Sequence, residues 1–164
     1  MFQKWFKILK GRHKSRHGYM IQWPNTSWSC RFSLDESCWY GRRDIDDTTG
    51  VNKILGRSMG LNPNRNSVRV GWQPVFNKKG EIRLYAYVHE GGQKYQYDIA
   101  RINTDTEYVV DILFYNDSIE YMLYGESIAV LDHSLRPKIG WKLFPYFGGN
   151  SHAPWDMKIF AKKI

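Results

Sequence analysis

The chain has 164 residues, of which 42% are hydrophobic and 16% aromatic, and it carries a formal net charge of +8. This length and composition exclude a disordered protein and fit one globular domain over residues 1–164. No run of about 18 apolar residues occurs, which excludes a membrane-spanning helix, and residues 1–10 lack the continuous apolar segment of a signal peptide. We therefore expect a protein that stays in the cell that makes it, or is packaged from there.

The positive charge is concentrated at the N-terminus. Residues 1–69 contain 13 Lys and Arg against 5 Asp and Glu, whereas residues 70–164 contain 11 of each. Such a patch can contact nucleic acid or another acidic partner. Equally, it can be a solvated edge strand whose lysines prevent edge-to-edge pairing. This basic patch consists of Lys4, Lys7, Lys10, Arg12, Lys14 and Arg16.

The first segments after the N-terminus indicate short strands. Residues 5–10 fit a strand or a short amphipathic helix, and we favour a strand, because a jelly roll places its first and last strands side by side. Segments 19–23 and 28–34 follow as strands. Cys30 and Cys38 have no secretory context, so we expect two reduced thiols. They also lack the histidine pair of a zinc site.

The segment 44–56 is the one helical candidate. Asp and Thr residues precede an apolar run that Gly56 can terminate, so we predict one short helix near residues 50–56. The acidic start also suggests a calcium loop, but Thr49 and Leu55 stand where an EF-hand requires Gly and Glu. We therefore expect the Asp and Thr side chains to satisfy free amides at the helix start.

The clearest pattern is a three-stranded antiparallel meander over residues 67–102. Apolar and polar residues alternate, and the strands are separated by Gly-containing turns at 77–80 and 90–93. One face of this meander can pack on a core. The other carries arginine, tyrosine and histidine, which can hold a ligand or simply face water. Our candidate ligand-binding residues on that face are Arg69, Arg83, Tyr85, Tyr87 and His89.

Further alternating segments complete the chain without a repeat or a linker. Together with the earlier segments they make about ten short strands with regular turns. This pattern predicts an all-β protein, a two-sheet antiparallel β-sandwich of jelly-roll type with one short helix. The later segments are 108–115, 119–124, 127–131, 141–147 and 156–161.

Several motifs carry a family resemblance. They are Gly11-Arg12-His13, residues 32–37, residues 66–72 and the tail 144–157. Together they resemble small, uncharacterised β-sandwich proteins of Bacteroidetes and their tailed phages. The architecture is also similar to concanavalin-like sandwiches, a fold shared by lectins, glycosidases, lyases and capsid-associated proteins. The resemblance implies a phage-encoded structural or accessory protein, but no activity. Trp155 stands where we expect histidine in the tail motif, which argues against a metal ligand there.

Catalytic patterns are weak in this sequence. A retaining glycosidase needs two carboxylates about 5 Å apart, and the strand carboxylates are scattered. A polysaccharide lyase would use Tyr, His and Arg close together, which the candidate face supplies. The pair Gly148-Gly149 lacks the strand–loop–helix context of a phosphate loop. We assign no catalytic residue, metal or cofactor.

Three functions follow from these observations. The first is a non-enzymatic binding protein, a phage-encoded structural or accessory protein whose partner is another protein or a second copy of itself. The second is a carbohydrate-binding or polysaccharide-lyase-like protein that uses the Tyr/Arg/His face. The third is a nucleic-acid binder that uses the basic patch, which requires the patch and the tyrosine face to be adjacent. The expected location is the cytoplasm of the producing cell or a virion.

Overall fold

The computed structural model describes residues 5–18 and 20–164. Within them lie twelve β-strands and two single-turn 3-10 helices, Glu36–Cys38 and Arg42–Asp44. The strands are β1 (Trp5–Ile8), β2 (Met20–Gln22), β3 (Ser27–Leu34), β4 (Asn52–Ser58), β5 (Ser67–Pro74), β6 (Glu81–Glu90), β7 (Gln93–Asn103), β8 (Glu107–Phe114), β9 (Ile119–Leu123), β10 (Glu126–Leu131), β11 (Gly140–Leu143) and β12 (Met157–Lys163).

The strands form two six-stranded antiparallel sheets that pack as a sandwich. Sheet A has the order β1-β12-β3-β8-β9-β10, and sheet B has the order β2-β11-β4-β5-β6-β7. The predicted all-β sandwich is therefore confirmed. The strand at the N-terminus is also confirmed, because β1 pairs with β12 and places Phe6 opposite Ile159.

The core lies between the two sheets and follows from the period-two alternation. In β3 every second side chain is buried, from Trp28 to Leu34, and the apolar side chains of β6 are buried in the same way. Each fully buried large apolar side chain contributes about 1.5–3 kcal/mol to folding. Cys30 and Cys38 are buried free thiols.

The predicted helix over residues 50–56 is wrong. Asn52–Ser58 forms β4, which lies inside sheet B between β11 and β5 and places Asn52 opposite Trp72. All seven residues of β4 are buried, so the strand lacks the alternation of a half-buried strand. A short apolar run of this kind cannot be distinguished from a buried helix segment by periodicity. Among the described residues, no helix is long and apolar enough to cross a membrane.

The predicted meander is present as β5, β6 and β7. Its register places Arg69 opposite Tyr87, and Tyr85 opposite Gly71. His89 and Arg83 belong to the same alternating set of β6. Because directly opposite residues of an antiparallel pair share a face, all five candidate residues lie on the face of sheet B that points away from the core.

Candidate binding groove on sheet B

The outer face of sheet B carries a groove of about 720 Å³. Its floor comes from β4, β5 and β6, and its walls come from residues 14–18 and residues 142–149. Three of the five candidate residues line this groove: Arg69, Tyr87 and His89.

The other two candidates lie on the same face but outside the groove lining. Tyr85 donates a hydrogen bond from its hydroxyl to Gln73 Oε1 at 3.4 Å. Arg83 stands opposite Gln73 in the register of β5 and β6. The groove therefore contains the C-terminal half of the outer face of β6 together with Arg69 of β5. The N-terminal half of that face, with Arg83 and Tyr85, lies beside the groove.

Lys53 lies in the groove, and sequence reasoning missed it. Its backbone pairs with Tyr146, with N···O distances of 2.8 and 3.0 Å. Its Nζ lies 4.4 Å from the ring centroid of Tyr87 and 5.5 Å from that of Tyr146, which are cation–π contacts. Burial, reinforced by the charges of Arg69 and Lys94, lowers the pKa of Lys53 to about 7. The available signal was a charged residue within a short, mostly apolar stretch at residues 51–55.

Arg69 supplies a second partly buried cation. Its Nε is buried and has no hydrogen-bond partner in the part of the chain that the structure describes. The side chain crosses Gly56, where an added Cβ would lie 2.7 Å from Arg69 Cγ and 2.2 Å from the carbonyl oxygen of Val68. Burial lowers the pKa of Arg69. A partly buried guanidinium whose Nε lacks a partner among the described residues can pair with an anionic ligand.

His89 is held in one tautomer. Its Nδ1 lies 3.2 Å from the carbonyl oxygen of Pro63 and 3.4 Å from Ser67 Oγ. Because a carbonyl only accepts, the hydrogen-bond network assigns the proton of the neutral ring to Nδ1 and leaves Nε2 as an acceptor. Burial lowers the pKa of His89, and the charges of Arg69 and Lys53 act in the same direction. The Tyr87 ring stands edge-on to it, with centroids 5.3 Å apart.

The wall at residues 142–149 is fixed by close backbone packing near its C-terminal end. Gly148 donates its N–H to Asn52 Oδ1 at 2.8 Å, and an added Cβ there would lie 1.9 Å from the Val51 carbonyl oxygen and 2.8 Å from Lys53 Nζ. Asp47 accepts from the backbone N–H of Asn150 at 2.9 Å. Asp47 therefore anchors this wall, whereas Asp44 accepts from the Gly41 N–H at the start of the 3-10 helix Arg42–Asp44. No metal-binding cluster is found among the described residues.

A second cavity, of about 840 Å³, adjoins the groove. Lys14, Ser15, His17 and Tyr146 line both cavities. The basic patch and the tyrosine face are therefore adjacent, which the sequence alone could not show.

The residues of the basic patch differ in their surroundings. Lys7, Arg12, Lys14 and Arg16 line the second cavity. Lys7 is paired with Asp156 at 2.7 Å. Lys10 does not line the cavity, and Lys4 lies outside the described residues.

The two cavities are strongly electropositive. No Asp or Glu occurs among the described residues that line either one. This lining lacks the carboxylate pair that glycoside hydrolysis requires, and it favours a ligand that carries negative charge. The cationic side chains of the combined lining are Lys7, Arg12, Lys14, Arg16, Lys53, Arg69 and Lys142.

Comparison with known proteins gives a fold but no family. No protein-family model and no curated protein matches the chain. Solved structures do match. The alginate lyase AlyC3 has a TM-score of 0.60 and 13% identity over 97% of this chain and 74% of that one. The alginate lyase vAL-1 from Chlorella virus has a TM-score of 0.58 and 11% identity over 97% and 81%.

A third similar structure is the catalytic domain of an endo-1,3-beta-glucanase (laminarinase) from Thermotoga petrophila, with a TM-score of 0.56 and 9% identity over 97% of this chain and 74% of that one. At such identities the likeness shows a shared jelly-roll sandwich and nothing finer. The link to Bacteroidetes and tailed phages stays a prediction.

Proposed function

We propose that the groove on sheet B binds an acidic polysaccharide, a chain of uronate sugars, through carboxylate contacts with Arg69 and Lys53. The observation that carries this proposal is the pair of partly or fully buried cations with no carboxylate partner among the described residues. Arg69 fits a carboxylate by bidentate hydrogen bonding. The partly exposed ring of Tyr146 in the groove lining offers apolar area for the sugar faces.

A carboxylate-bearing sugar suits this groove better than a neutral glycan. Desolvated cations are costly to leave unpaired, and a uronate carboxylate would pair with them, whereas a neutral sugar would leave them unpaired. Two of the similar structures are alginate lyases, which is compatible with this choice of ligand.

The arrangement of His89 and Tyr87 favours a second step, cleavage of the bound chain by β-elimination. Nε2 of His89 takes the proton from the carbon next to the carboxylate, and the C–H electron pair becomes the new C=C bond. The glycosidic C–O bond breaks, and the leaving oxygen takes the proton of the Tyr87 hydroxyl. Arg69 stabilises the charge that develops on the carboxylate. No water is consumed.

The binding test compares the wild type with Arg69→Gln on oligoalginate and oligogalacturonate by titration calorimetry. Removal of a charged hydrogen bond predicts a loss of affinity of at least about tenfold. Arg43→Gln is the matched control, because Arg43 is exposed and lines neither cavity. Equal affinity of Arg69→Gln and the wild type contradicts the proposal.

The cleavage test follows the ultraviolet absorbance of the unsaturated product. We expect the absorbance to rise with the wild type and to stay flat with His89→Ala, while His89→Ala still binds the substrate. If the wild type binds the substrate but the absorbance does not change, the elimination step is refuted and the protein only binds the chain.

Single-stranded nucleic acid is the competing polyanion, because the basic patch and the aromatic groove are adjacent. Its affinity would fall steeply with salt. If oligothymidylate binds more tightly than the uronates, and Arg69→Gln leaves that affinity unchanged, the polysaccharide proposal fails. An assembly role with a protein partner or a second copy stays a prediction, which light scattering on a sizing column tests.

A further inference from the structure

We propose that the second cavity is a separate subsite that takes the continuation of the acidic chain beyond the groove. This inference rests on the proposed function and adds to it a minimum ligand length. The two cavities share Lys14, Ser15, His17 and Tyr146 as lining residues. These residues belong to the groove walls, so the second cavity lies directly across that rim, and a chain that passes over the rim from the groove reaches it.

The loop that forms this subsite is tied to the sandwich. The Phe147 N–H donates to the His13 carbonyl oxygen at 2.7 Å, and the Gly11 N–H donates to that of Ala153 at 2.9 Å. Lys14 forms a backbone bridge with Tyr146. The basic residues therefore stand on a segment that is hydrogen-bonded to the groove wall along its length, which makes the subsite part of the fold.

Three rings, those of His13, His152 and Tyr146, line one side of the second cavity. The His13 ring stacks on Tyr146, with centroids 5.4 Å apart and an interplanar angle of 14°. His13 Nδ1 lies 2.8 Å from the carbonyl oxygen of Phe147, so it donates to that oxygen. The ring centroid of His152 lies 4.3 Å from that of His13. These rings give the subsite a rigid aromatic side against which a sugar can pack.

The charge of this subsite is available to a ligand. Arg12, Lys14 and Arg16 are exposed, and no carboxylate within the described ranges pairs with them. Lys7 differs, because Asp156 already neutralises it. A solvated edge, where lysines and arginines only discourage edge pairing, does not explain why three of these side chains surround one cavity that shares lining residues with the groove.

Exposed ion pairs determine how much binding affinity this subsite adds. One such pair changes a binding constant by a factor of about 1.5 to 5. Arg12 and Arg16 line the second cavity alone, and their two pairs predict an affinity advantage of about fivefold for a chain long enough to reach them. Because Lys14 lines both cavities, a substitution at this position would not distinguish the contributions of the two sites.

The experiment measures dissociation constants for a tri-uronate and an octa-uronate at one fixed salt concentration. The wild type binds the octamer about fivefold more tightly than the trimer, after correction for the number of binding frames. The double variant Arg12→Gln/Arg16→Gln keeps the wild-type affinity for the trimer and loses the advantage of the octamer. The charge-matched control Arg43→Gln/Lys79→Gln keeps both affinities, because both residues are exposed and line neither cavity.

Three results overturn the inference while the proposed function stands. They are equal wild-type affinities for trimer and octamer, an octamer advantage that survives in the double variant, and an equal loss in the control variant. The last would mean that net charge alone attracts the longer chain. Failure of the wild type to bind either oligomer would remove the proposed function and this inference together.

Discussion

Replacing Lys53 with methionine is expected to stabilise the fold while weakening the groove's affinity for an acidic chain. Lys53 is 6% exposed, and its ammonium forms no ion pair with any carboxylate in the described part of the chain. Methionine keeps an unbranched apolar stem and removes the charge. The substitution therefore separates the stability of the site from its function.

The size of the effect follows from the altered pKa. Burial, with the charges of Arg69 and Lys94, lowers the pKa of Lys53 from 10.5 to about 7. At about 1.4 kcal/mol per pKa unit, folding disfavours the ammonium form by about 5 kcal/mol. Loss of the cation–π contacts with Tyr87 and Tyr146 offsets about 1–2 kcal/mol of the gain. We expect the variant to be more stable by about 3 kcal/mol at pH 7.

The pH dependence gives this effect a signature. The folded-state pKa lies below the unfolded value, so the unfolded chain binds more protons between pH 7 and 10.5, and the stability of the wild type rises with pH across that window. The variant lacks this contribution. Its advantage therefore shrinks by about 2 kcal/mol between pH 7 and 9. The advantage becomes constant below about pH 6, where both states of the wild type carry the proton.

Urea unfolding followed by tryptophan fluorescence, at pH 7, 8 and 9, measures the difference between variant and wild type. Titrating groups distant from Lys53 cancel in this difference, and His89, whose pKa is lowered by burial and by the charge of Lys53, titrates below this pH window. Lys79→Met is the matched control, because Lys79 lies exposed in the turn between β5 and β6, and its effect should stay within about 0.5 kcal/mol. A Lys53→Met variant that is less stable than the wild type, or whose advantage does not change with pH, would refute the reasoning.

Three further outcomes are expected. Gly148→Ala lowers the free energy of unfolding by about 2–3 kcal/mol in denaturant unfolding, because its Cβ would meet the Val51 carbonyl. The control Gly18→Ala has open space around its Cβ and is near neutral. Hydrogen bonds from Thr49 and Asn150 lower the pKa of Asp47 from 3.8 to about 2. Wild type should therefore lose its stability advantage over Asp47→Asn as the pH falls through that range, and equal acid unfolding curves would contradict this. The two thiols, buried and with raised pKa values, should react with a thiol reagent only after unfolding, and native-state labelling would count against the packing.

The fold could be predicted wherever a strand is half-buried. The alternation in β3 and β6 marks one face for the core, and the register of β5 and β6 follows from it. Strand β4 could not be recognised, because both of its faces are buried and the run of residues 52–55 has no period. The helix expected there also concealed Lys53, whose place in the groove depends on its being in a strand.

The candidate site was predictable only in part, for a reason of chain topology. Alternation decides that Arg69, Tyr87 and His89 share a face. Where along that face the groove lies depends on Tyr146, which pairs with Lys53 from a distant part of the chain. The backbone bonds that join loop 11–15 to residues 145–153 are likewise non-local. No local pattern encodes these contacts, so neither the groove nor its link to the basic patch could be derived from sequence alone.

The measurement that tests the central claim most directly compares an oligouronate with its carboxyl-reduced counterpart, which has the same backbone and no charge. Both are titrated against the wild type at one salt concentration. If the groove recognises carboxylates through Arg69 and Lys53, reduction weakens binding by at least about tenfold, as expected for the loss of charged hydrogen bonds. Equal affinity for the two oligomers would contradict the account.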